Sequence, residues 1–236
     1  MSKELEISYQ EDLIDLVWEN RPSISKEKAY ELDIKYAGES RVNKLNQIKE
    51  RLNKLNADLL ILTSLDDIAW LFNLRGNDVA CNPVLLAYAV IAKSYVKLYV
   101  NEGVLSSDLI TKLNSEGISV HAYNDIYEDV RLLKDEVVVY QKNRVNYALC
   151  SLINVKKVIN EVNYTTILKG VKNETEIKNA YYAHLKDGVA VTKFIYWLKT
   201  NVGKIYIDEI TAADKLEEFR TEQENFMGIS FETIAG

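Results

Sequence analysis

Segments with helical spacing alternate with short apolar runs between Ser40 and Asn163, and this alternation is the strongest constraint on the fold. Apolar residues recur every three or four positions from Val42 to Leu55, which predicts an amphipathic helix. The run "DLLILTS" follows, and a continuous apolar run of this length is typical of a strand that is buried on both faces of a sheet. Helix and strand patterns keep alternating after it. The pattern predicts a three-layer α/β domain with a mixed sheet.

The remaining segments of this stretch can be assigned individually. We predict a short helix in "LDDIAWLFNL" before a loop rich in Gly, Asn, Asp and Pro, and two strands joined by a tight turn in "VLLAYAVIA" and "YVKLYV". "VLSSDLITKLNSEG" is predicted to be a helix with a glycine stop, and "ISVHAY" and "EVVVY" to be strands. "NDIYEDVRLLK" is predicted to be a helix with Asn124 as its N-cap.

The beginning of the chain carries little apolar surface. In "EDLIDLVWENRP" three apolar residues fall at helical spacing, namely Leu13, Leu16 and Val17, before Pro22 breaks the pattern. This segment is too poor in apolar residues to form a core. We therefore interpret residues 1–37 as an arm, or as the tail of an upstream domain.

The character of the sequence changes after "YTTILKGVK", which follows Asn163. Asn173, with Glu176 three residues later, predicts a capping box that opens a long helix. An apolar stripe follows along it, formed by Ile177, Tyr181, Leu185, Val189, Thr192 and Tyr196. We expect a strand-like link in "GKIYIDEI", a second helix opened by Thr211 with Asp214, and a buried strand in "SFETIAG". Two helices and one or two strands rarely close a core, so this second domain is expected to be incomplete.

Composition and charge exclude several classes of protein. The net charge is -6, from 29 basic and 35 acidic residues, and gives no basic footprint for nucleic acid. The longest apolar run is less than half of the ~20 residues that a membrane-spanning helix needs, and the polar, acidic N-terminus is not typical of a signal peptide. Cys81 and Cys150 are interpreted as reduced, partly buried thiols. We expect a cytoplasmic protein that binds neither nucleic acid nor membrane.

The chain contains two histidines. His121 has no acidic neighbour at a useful spacing and no nearby Cys or His, so we interpret it as a structural or surface residue. His184, in "YYAHLKDGVAV", falls between the apolar stripe and the polar face of the predicted long helix, and Asp187 lies close enough to bias its charge. On these residues alone, a partly buried structural histidine is the favoured interpretation.

Acidic pairs and one arginine are the other candidates for chemistry. Asp66–Asp67 and Glu217–Glu218 are adjacent pairs, which point about 100° apart on a helix. We interpret them as helix-start charge and solvated surface. Arg75, in "NLRGNDV", is either a substrate-binding cation or a residue that fixes its loop by bonding carbonyl groups, and the second interpretation is favoured.

Three stretches stand out together: "DDIAWLFNLRGNDVACNPV", "KNETEIKNAYYAHLKDGVAV" and "DEITAADKLEEFR…FMGISFETIAG". Their order and spacing resemble the aminopeptidase P group of metallopeptidases with the creatinase/prolidase, or pita-bread, fold. The resemblance covers nearly the whole chain and is close to cytosolic three-domain Xaa-Pro aminopeptidases. It implies a creatinase N-terminal-like domain at 38–163. It also implies the truncated beginning of an α+β pita-bread metallopeptidase domain at 164–236.

The resemblance also implies an activity and a metal centre. Members of the family release an N-terminal residue that precedes proline, using two divalent ions, usually manganese, that activate a water. Their ligands are two aspartates, a histidine and two glutamates, all of which lie beyond "SFETIAG". We therefore expect no metal ligand and no catalytic residue in this chain, which would be inactive alone. The implied partners are a peptide with proline in second position and, for a homodimer, a second copy of the chain.

One site residue carries over from the resemblance. The family's peptide-contacting histidine matches His184, which implies hydrogen bonding near the scissile carbonyl. The family's substrate-binding arginine has no counterpart here, and no catalytic role transfers to Arg75. Prolidase or creatinase activity is a weaker alternative, because "WLFNLRG" and "ITAADKLEEFR" favour the aminopeptidases. The alternative from another class is a non-catalytic interaction or dimerisation module derived from the same fold, whose incomplete second domain needs a partner.

Overall fold

The computed structural model of the chain describes residues 13–234. The polar segment Met1–Asp12 and the last two residues of "SFETIAG" lie outside the described residues. In chain order the elements are α1 (Leu13–Val17), β1 (Tyr30–Glu31), α2 (Ile34–Ala37), α3 (Arg41–Leu55), β2 (Leu59–Leu62), α4 (Leu65–Phe72), β3 (Leu74–Arg75), β4 (Ala87–Ala92), β5 (Val96–Val100), α5 (Ser107–Ser115), β6 (Ile118–Ala122), α6 (Asp125–Arg131), β7 (Val137–Val139), a 3₁₀ turn (Lys142–Arg144), α7 (Tyr147–Leu152), β8 (Lys157–Ile159), α8 (Tyr164–Gly170), α9 (Glu174–Asn201) and α10 (Glu209–Thr221).

A six-stranded mixed sheet forms the centre of the α/β body, as the sequence predicts. Its strand order is β6-β5-β4-β2-β7-β8. Strand β4 is antiparallel to both of its neighbours, β2 and β5. The other pairs, β5–β6, β2–β7 and β7–β8, are parallel. A separate two-stranded ladder pairs β1 with β3, so Tyr30 and Glu31 lie beside Arg75 and Leu74.

Strand β2 contributes side chains to both apolar layers. Leu60 and Leu62 point into the cluster that packs against α3, α4 and α5, whereas Leu59 and Ile61 point into the cluster that packs against α6 and α7. Successive side chains of a strand alternate between the two faces, and all four residues are buried. Two covered faces give the predicted three-layer arrangement, and each of these side chains contributes about 1.5–3 kcal/mol by burial.

Local capping groups define the helices of the body. The Ser40 hydroxyl accepts a hydrogen bond from the Asn43 amide at 3.2 Å, and α3 begins at the next residue after Ser40. The Ser106 hydroxyl accepts one from the Leu109 amide at 3.3 Å at the start of α5. The predicted glycine stop after α5 is confirmed, since Gly117 has a φ of 81°.

Two predicted helix starts are corrected. Asn124 occupies the N-cap position of α6, but its backbone is helical and its side chain makes no capping bond; the Asp125 carboxylate accepts from the Ala122 amide instead. Helix α10 begins before Thr211, because Asp208 is its N-cap. Asp208 and Thr211 exchange side-chain-to-backbone hydrogen bonds of 2.8 and 2.9 Å, which completes a capping box three residues earlier than predicted.

The strand-like link and the strand predicted near the carboxyl end are both wrong for the described residues. "GKIYIDEI" passes through a turn and an irregular segment into α10. Phe231 and Ile234 lie in irregular chain and are 67% and 91% exposed. A strand needs backbone hydrogen-bonding partners, and neither segment joins a sheet within residues 13–234. The predicted strand beginning at Val84 also starts later, at Ala87.

Helix α9 is mostly uncovered within the described residues. The predicted capping box of Asn173 and Glu176 is confirmed, and the helix runs for 28 residues. Ala190 is its only buried residue. The predicted apolar stripe is exposed on Ile177, Tyr181, Leu185, Val189 and Tyr196. Helix α10 packs against α9, with ion pairs from Arg220 to Asp187 and from Lys193 to Glu222.

Lys44 is a buried cation that the sequence pattern does not reveal. Its ammonium donates to the Trp70 carbonyl at 2.9 Å and to the Asn73 side-chain oxygen at 2.7 Å. It also lies 4.2 Å from the centroid of the Trp70 indole. Burial lowers the pKa of Lys44 to about 8, although the carboxylates of Glu176 and Glu39 act in the opposite direction.

This depressed pKa predicts a stability difference at alkaline pH. Between about pH 8 and the ordinary lysine pKa, the unfolded chain binds more protons at Lys44 than the folded chain. The unfolding free energy of the wild type should therefore rise relative to Lys44→Met, by up to about 1.4 kcal/mol per pH unit. Below pH 8 the difference should be constant. Urea unfolding at several pH values measures it.

Lys54→Met is the matched control, because Lys54 lies on the same helix and is exposed. The difference between this variant and the wild type should not change with pH in that window. A pH-independent difference for Lys44→Met would show that the Lys44 ammonium is not desolvated in the folded protein.

Candidate functional site

A cavity of about 740 Å³ lies between α9, the end of α10 and the irregular segment that follows α10. His184, Asp187 and Arg220 contribute its polar wall, and Phe226 and Phe231 are among its apolar residues. Tyr36 of α2 closes one side. The cavity therefore brings together α9, α10 and the body at one place, and it contains the histidine that the sequence singled out.

His184 is exposed, in contrast to the partly buried position expected from the residues alone. The expected neighbour Asp187 is engaged elsewhere: its Oδ1 accepts a hydrogen bond from the Arg220 Nε at 2.7 Å. Lys186 is also held, because its ammonium donates to the Glu224 carbonyl at 2.8 Å. The imidazole of His184 thus lines the cavity on the same helix as two side chains that are bonded to α10 and to the segment after it.

Asp67 is buried, so its interpretation as solvated surface is wrong. Its Oδ2 accepts hydrogen bonds from Ser64 at 2.6 Å and Thr166 at 3.0 Å. The Lys169 ammonium lies 3.1 Å from its Oδ1. These donors come from α8 and from the residue that precedes α4, and the carboxylate therefore joins these two helices. Asp66, whose side chain is 56% exposed, pairs with Lys169 at the surface as expected.

Arg75 has the structural role that the sequence favours. Its Nη1 donates to the carbonyls of Ala69 at 2.9 Å and Leu74 at 2.8 Å. Burial lowers the pKa of Arg75. The guanidinium holds the turn between α4 and β3, and both of these carbonyl bonds lie within its own segment.

His121 lies next to a small polar group on β5, β6 and α6. Its Nε2 is 2.9 Å from the Ser119 hydroxyl, and its ring centroid is 5.5 Å from that of Tyr99. The Asp129 carboxylate accepts from the Tyr99 hydroxyl at 2.5 Å and from the Lys97 ammonium at 2.8 Å. Burial raises the pKa of Asp129, but the bonds from Lys97 and Tyr99 outweigh it and hold that pKa below its ordinary value.

The other sequence candidates have ordinary surroundings. Glu218 forms a helical pair with Lys215 at 2.8 Å on the exposed side of α10. Cys81 and Cys150 are free thiols and are partly buried, as predicted. None of the helices formed by residues 13–234 is both long enough and apolar enough to cross a bilayer.

The side chains of residues 13–234 do not form a metal centre. Among them no three His, Cys, Asp or Glu side chains are arranged so that they could hold a metal ion. Around His184, the nearby carboxylate of Asp187 is already bonded to Arg220. The exposed imidazole of His184 can donate a hydrogen bond to a bound molecule or accept one from it. The site is therefore suited to a polar contact between His184 and a ligand.

Comparisons with known proteins identify similar chains. Residues 20–176 match the family model described as the creatinase/prolidase N-terminal domain. The probable Xaa-Pro aminopeptidase P of Neurospora crassa is 36% identical over 239 residues, which cover 95% of this chain and 35% of the fungal protein. Its counterpart in Botryotinia fuckeliana is 38% identical over 241 residues, which cover 97% of this chain and 37% of that protein.

A solved structure matches almost the whole described fold. It is an X-prolyl aminopeptidase from Caenorhabditis elegans, described as a cytosolic enzyme with a di-nuclear active site. The TM-score is 0.91 at 25% sequence identity, and the match covers 98% of this chain and 39% of the nematode chain. The chain thus spans between 35% and 39% of the length of these three similar proteins.

Because Asp67 is buried and Asp66 is exposed, we expect substitution of Asp67 to destabilise the fold much more than substitution of Asp66. Asp67→Asn should lower the unfolding free energy by about 1–3 kcal/mol, because the amide removes the charge opposite Lys169 and replaces one acceptor oxygen by a donor. Asp66→Asn should change it by less than about 0.5 kcal/mol, because that side chain is exposed. Equal losses for the two variants, measured by chemical denaturation, would contradict the assigned network.

Proposed function

The chain belongs to the creatinase/prolidase N-terminal domain family, and we propose that it forms part of an aminopeptidase that releases an N-terminal residue preceding proline. The observation that carries this proposal is the match with the nematode X-prolyl aminopeptidase, with a TM-score of 0.91 across 98% of the chain. The probable Xaa-Pro aminopeptidases P of two fungi support the same specificity, at 36% and 38% identity.

Within this enzyme the chain supplies the α/β body and the first helices of the catalytic domain. The division proposed here places an arm at 1–37, the creatinase N-terminal-like domain at 38–163 and the beginning of the pita-bread domain at 164–236. His184 contacts the bound peptide and donates a hydrogen bond near the scissile carbonyl. Its exposure in the wall of the cavity supports this role, since a ligand can reach the imidazole there.

The metal centre of the proposed enzyme is formed by other residues. The similar nematode enzyme is described as having a di-nuclear active site, and we infer two divalent ions, of manganese, in the whole protein. Residues 13–234 do not fit such a centre, because they offer no cluster of three ligating side chains. The three similar proteins are more than twice as long as the matched region, which leaves ample chain for the ligands.

Location, substrate and assembly follow from the same proposal. The enzyme acts in the cytoplasm on peptides with proline in second position, in line with the cytosolic description of the nematode enzyme. A homodimer is proposed as its assembly. The exposed apolar stripe of α9 supports a further covering layer over this helix in the whole protein.

An activity assay tests the proposal. The protein encoded by the whole reading frame, supplied with Mn²⁺, should cleave a tripeptide with proline in second position and leave the matched alanine peptide intact. The isolated 236-residue chain should show no turnover. His184→Ala in the whole protein should lower kcat by about 10²–10³, the typical cost of losing one hydrogen-bond donor to the reacting carbonyl.

His121→Ala is the matched control, because His121 lies in the α/β body beside Ser119, and kcat should stay within about twofold. Turnover by the isolated chain would contradict the proposed location of the metal ligands. Equal rates for the proline and alanine peptides would contradict the proposed specificity.

A second candidate function is a non-catalytic interaction module. The observation that favours it is the exposed stripe of large apolar residues on α9. This candidate predicts a reading frame that ends at Gly236 and a chain that dimerises at micromolar concentration through α9. Light scattering on the wild type and on Leu185→Asp tests the dimerisation. A monomeric wild type contradicts a dimerisation module, whereas a dimer that Leu185→Asp dissociates supports it. The length of the reading frame then separates the module from a homodimeric enzyme.

A further inference from the structure

Helix α9 is attached to the α/β body through its first two turns. Beyond these turns, Ala190 is the only buried residue of the helix. Packing along the rest of α9 therefore does little to fix the direction of the helix. Three groups lie against the attached turns: the Tyr36 and Ala37 carbonyls of α2, Gly38 at the end of α2, and the indole of Trp70. The direction of the helix is therefore set close to Asn173.

Asn173 binds both sides of this junction. Its Oδ1 accepts the Glu176 amide at 2.9 Å and caps α9, while its Nδ2 donates to the Ala37 carbonyl at 2.9 Å at the end of α2. Six residues further along, in the second turn of the helix, the Asn179 side chain donates to the Tyr36 carbonyl at 3.1 Å. Two adjacent carbonyls of α2 thus hold two successive turns of α9.

Glu176 provides an independent attachment to α4. Its Oε2 accepts the Asn173 amide at 3.0 Å, and its Oε1 accepts the Trp70 indole N–H at 3.3 Å. The indole also makes a cation–π contact with the Lys44 ammonium, which lies 4.2 Å from the ring centroid. The cap of α9 is thereby bonded to two different helices, α2 and α4.

Gly38 makes the close approach possible. It ends α2 with a φ of 72°, a conformation that L side chains rarely adopt. A Cβ at this position would overlap Asn173 Oδ1 and would lie 2.8 Å from Asn173 Cγ and 2.7 Å from the Cβ of Thr175. Any side chain at residue 38 must therefore push the cap of α9 away from the body.

We propose that Gly38, Asn173 and Glu176 are positioning residues that fix the direction of α9, and with it the place of His184, against the α/β body. His184 lies ten residues beyond Glu174, about 15 Å along the helix axis at 1.5 Å per residue. A tilt of about 10° at the junction displaces the imidazole by roughly 3 Å. Displacements of about 1 Å already reduce catalysis when geometry matters. This inference rests on the proposed function only for the role of His184.

The experiment measures the direction of α9 as a distance. In the full chain with Cys81→Ser and Cys150→Ala, spin labels are placed at Lys54→Cys on α3 and Lys199→Cys on the last turn of α9, both exposed positions. Double electron–electron resonance should give one narrow distance distribution. Gly38→Ala should shift or broaden it by several ångströms, since a tilt of about 10° displaces Lys199 by roughly 7 Å.

Gly117→Ala is the matched control. Gly117 also ends a helix with a positive φ, of 81°, but no atom lies within 4 Å of its added Cβ. Both variants carry similar backbone strain, so Gly117→Ala measures the effect of that strain without a steric clash. Only Gly38→Ala should change the distance distribution, so a loss of stability alone cannot reproduce the expected result.

Asn173→Ser provides the test if Gly38→Ala does not fold. Serine still caps a helix, but its side chain has no amide to donate to the Ala37 carbonyl, so the distribution should broaden while α9 remains helical. An unchanged distribution in Asn173→Ser and in any folded Gly38→Ala would overturn the proposal. The readout is a distance rather than turnover, so its failure leaves the proposed peptidase activity untouched, and a missing activity leaves the junction untouched.

Discussion

Burial of β2 on both of its faces determines how the other elements of the α/β body are arranged. The strand lies inside the sheet between β4 and β7, and its four residues divide between two apolar clusters. A strand with no solvated face requires helices on both sides, which the chain supplies as α3, α4 and α5 on one side and α6 and α7 on the other. Helix α4, on the first side, provides the Trp70 indole that bonds to α9. Gly38, at the end of α2, allows the start of α9 to approach closely.

The division of labour within the chain follows from this arrangement. The body buries its charged groups in structural roles: Lys44 bonds carbonyl and amide oxygens, Arg75 holds a turn and Asp67 joins α4 to α8. The exposed imidazole of His184 lies on the sparsely covered helix that the body orients. Under the proposed function, the chain is a scaffold that presents one contact residue to a catalytic centre formed by other residues.

The sequence predicts the body well because its evidence is local. Apolar periodicity gives α3 and β2, and the asparagine-glutamate pair gives the cap of α9. It fails where the partner of a residue is remote in the chain. The sequence places Asp67 in solvent, because its donors Thr166 and Lys169 lie about a hundred residues away. It pairs Asp187 with His184, because Arg220, which bonds to Asp187, belongs to another helix. The strand predicted around Phe231 lacks a neighbouring strand within residues 13–234, and propensity alone cannot supply one.

The motifs of the sequence predict the family correctly, whereas the role of His184 remains a prediction.

Calorimetric titration of Mn²⁺ into the isolated chain tests whether the metal ligands lie outside it. We expect no saturable binding at micromolar metal, because the described residues provide no set of three converging ligands. Saturable binding of two ions per chain, abolished by substitution of side chains within residues 13–234, would contradict it.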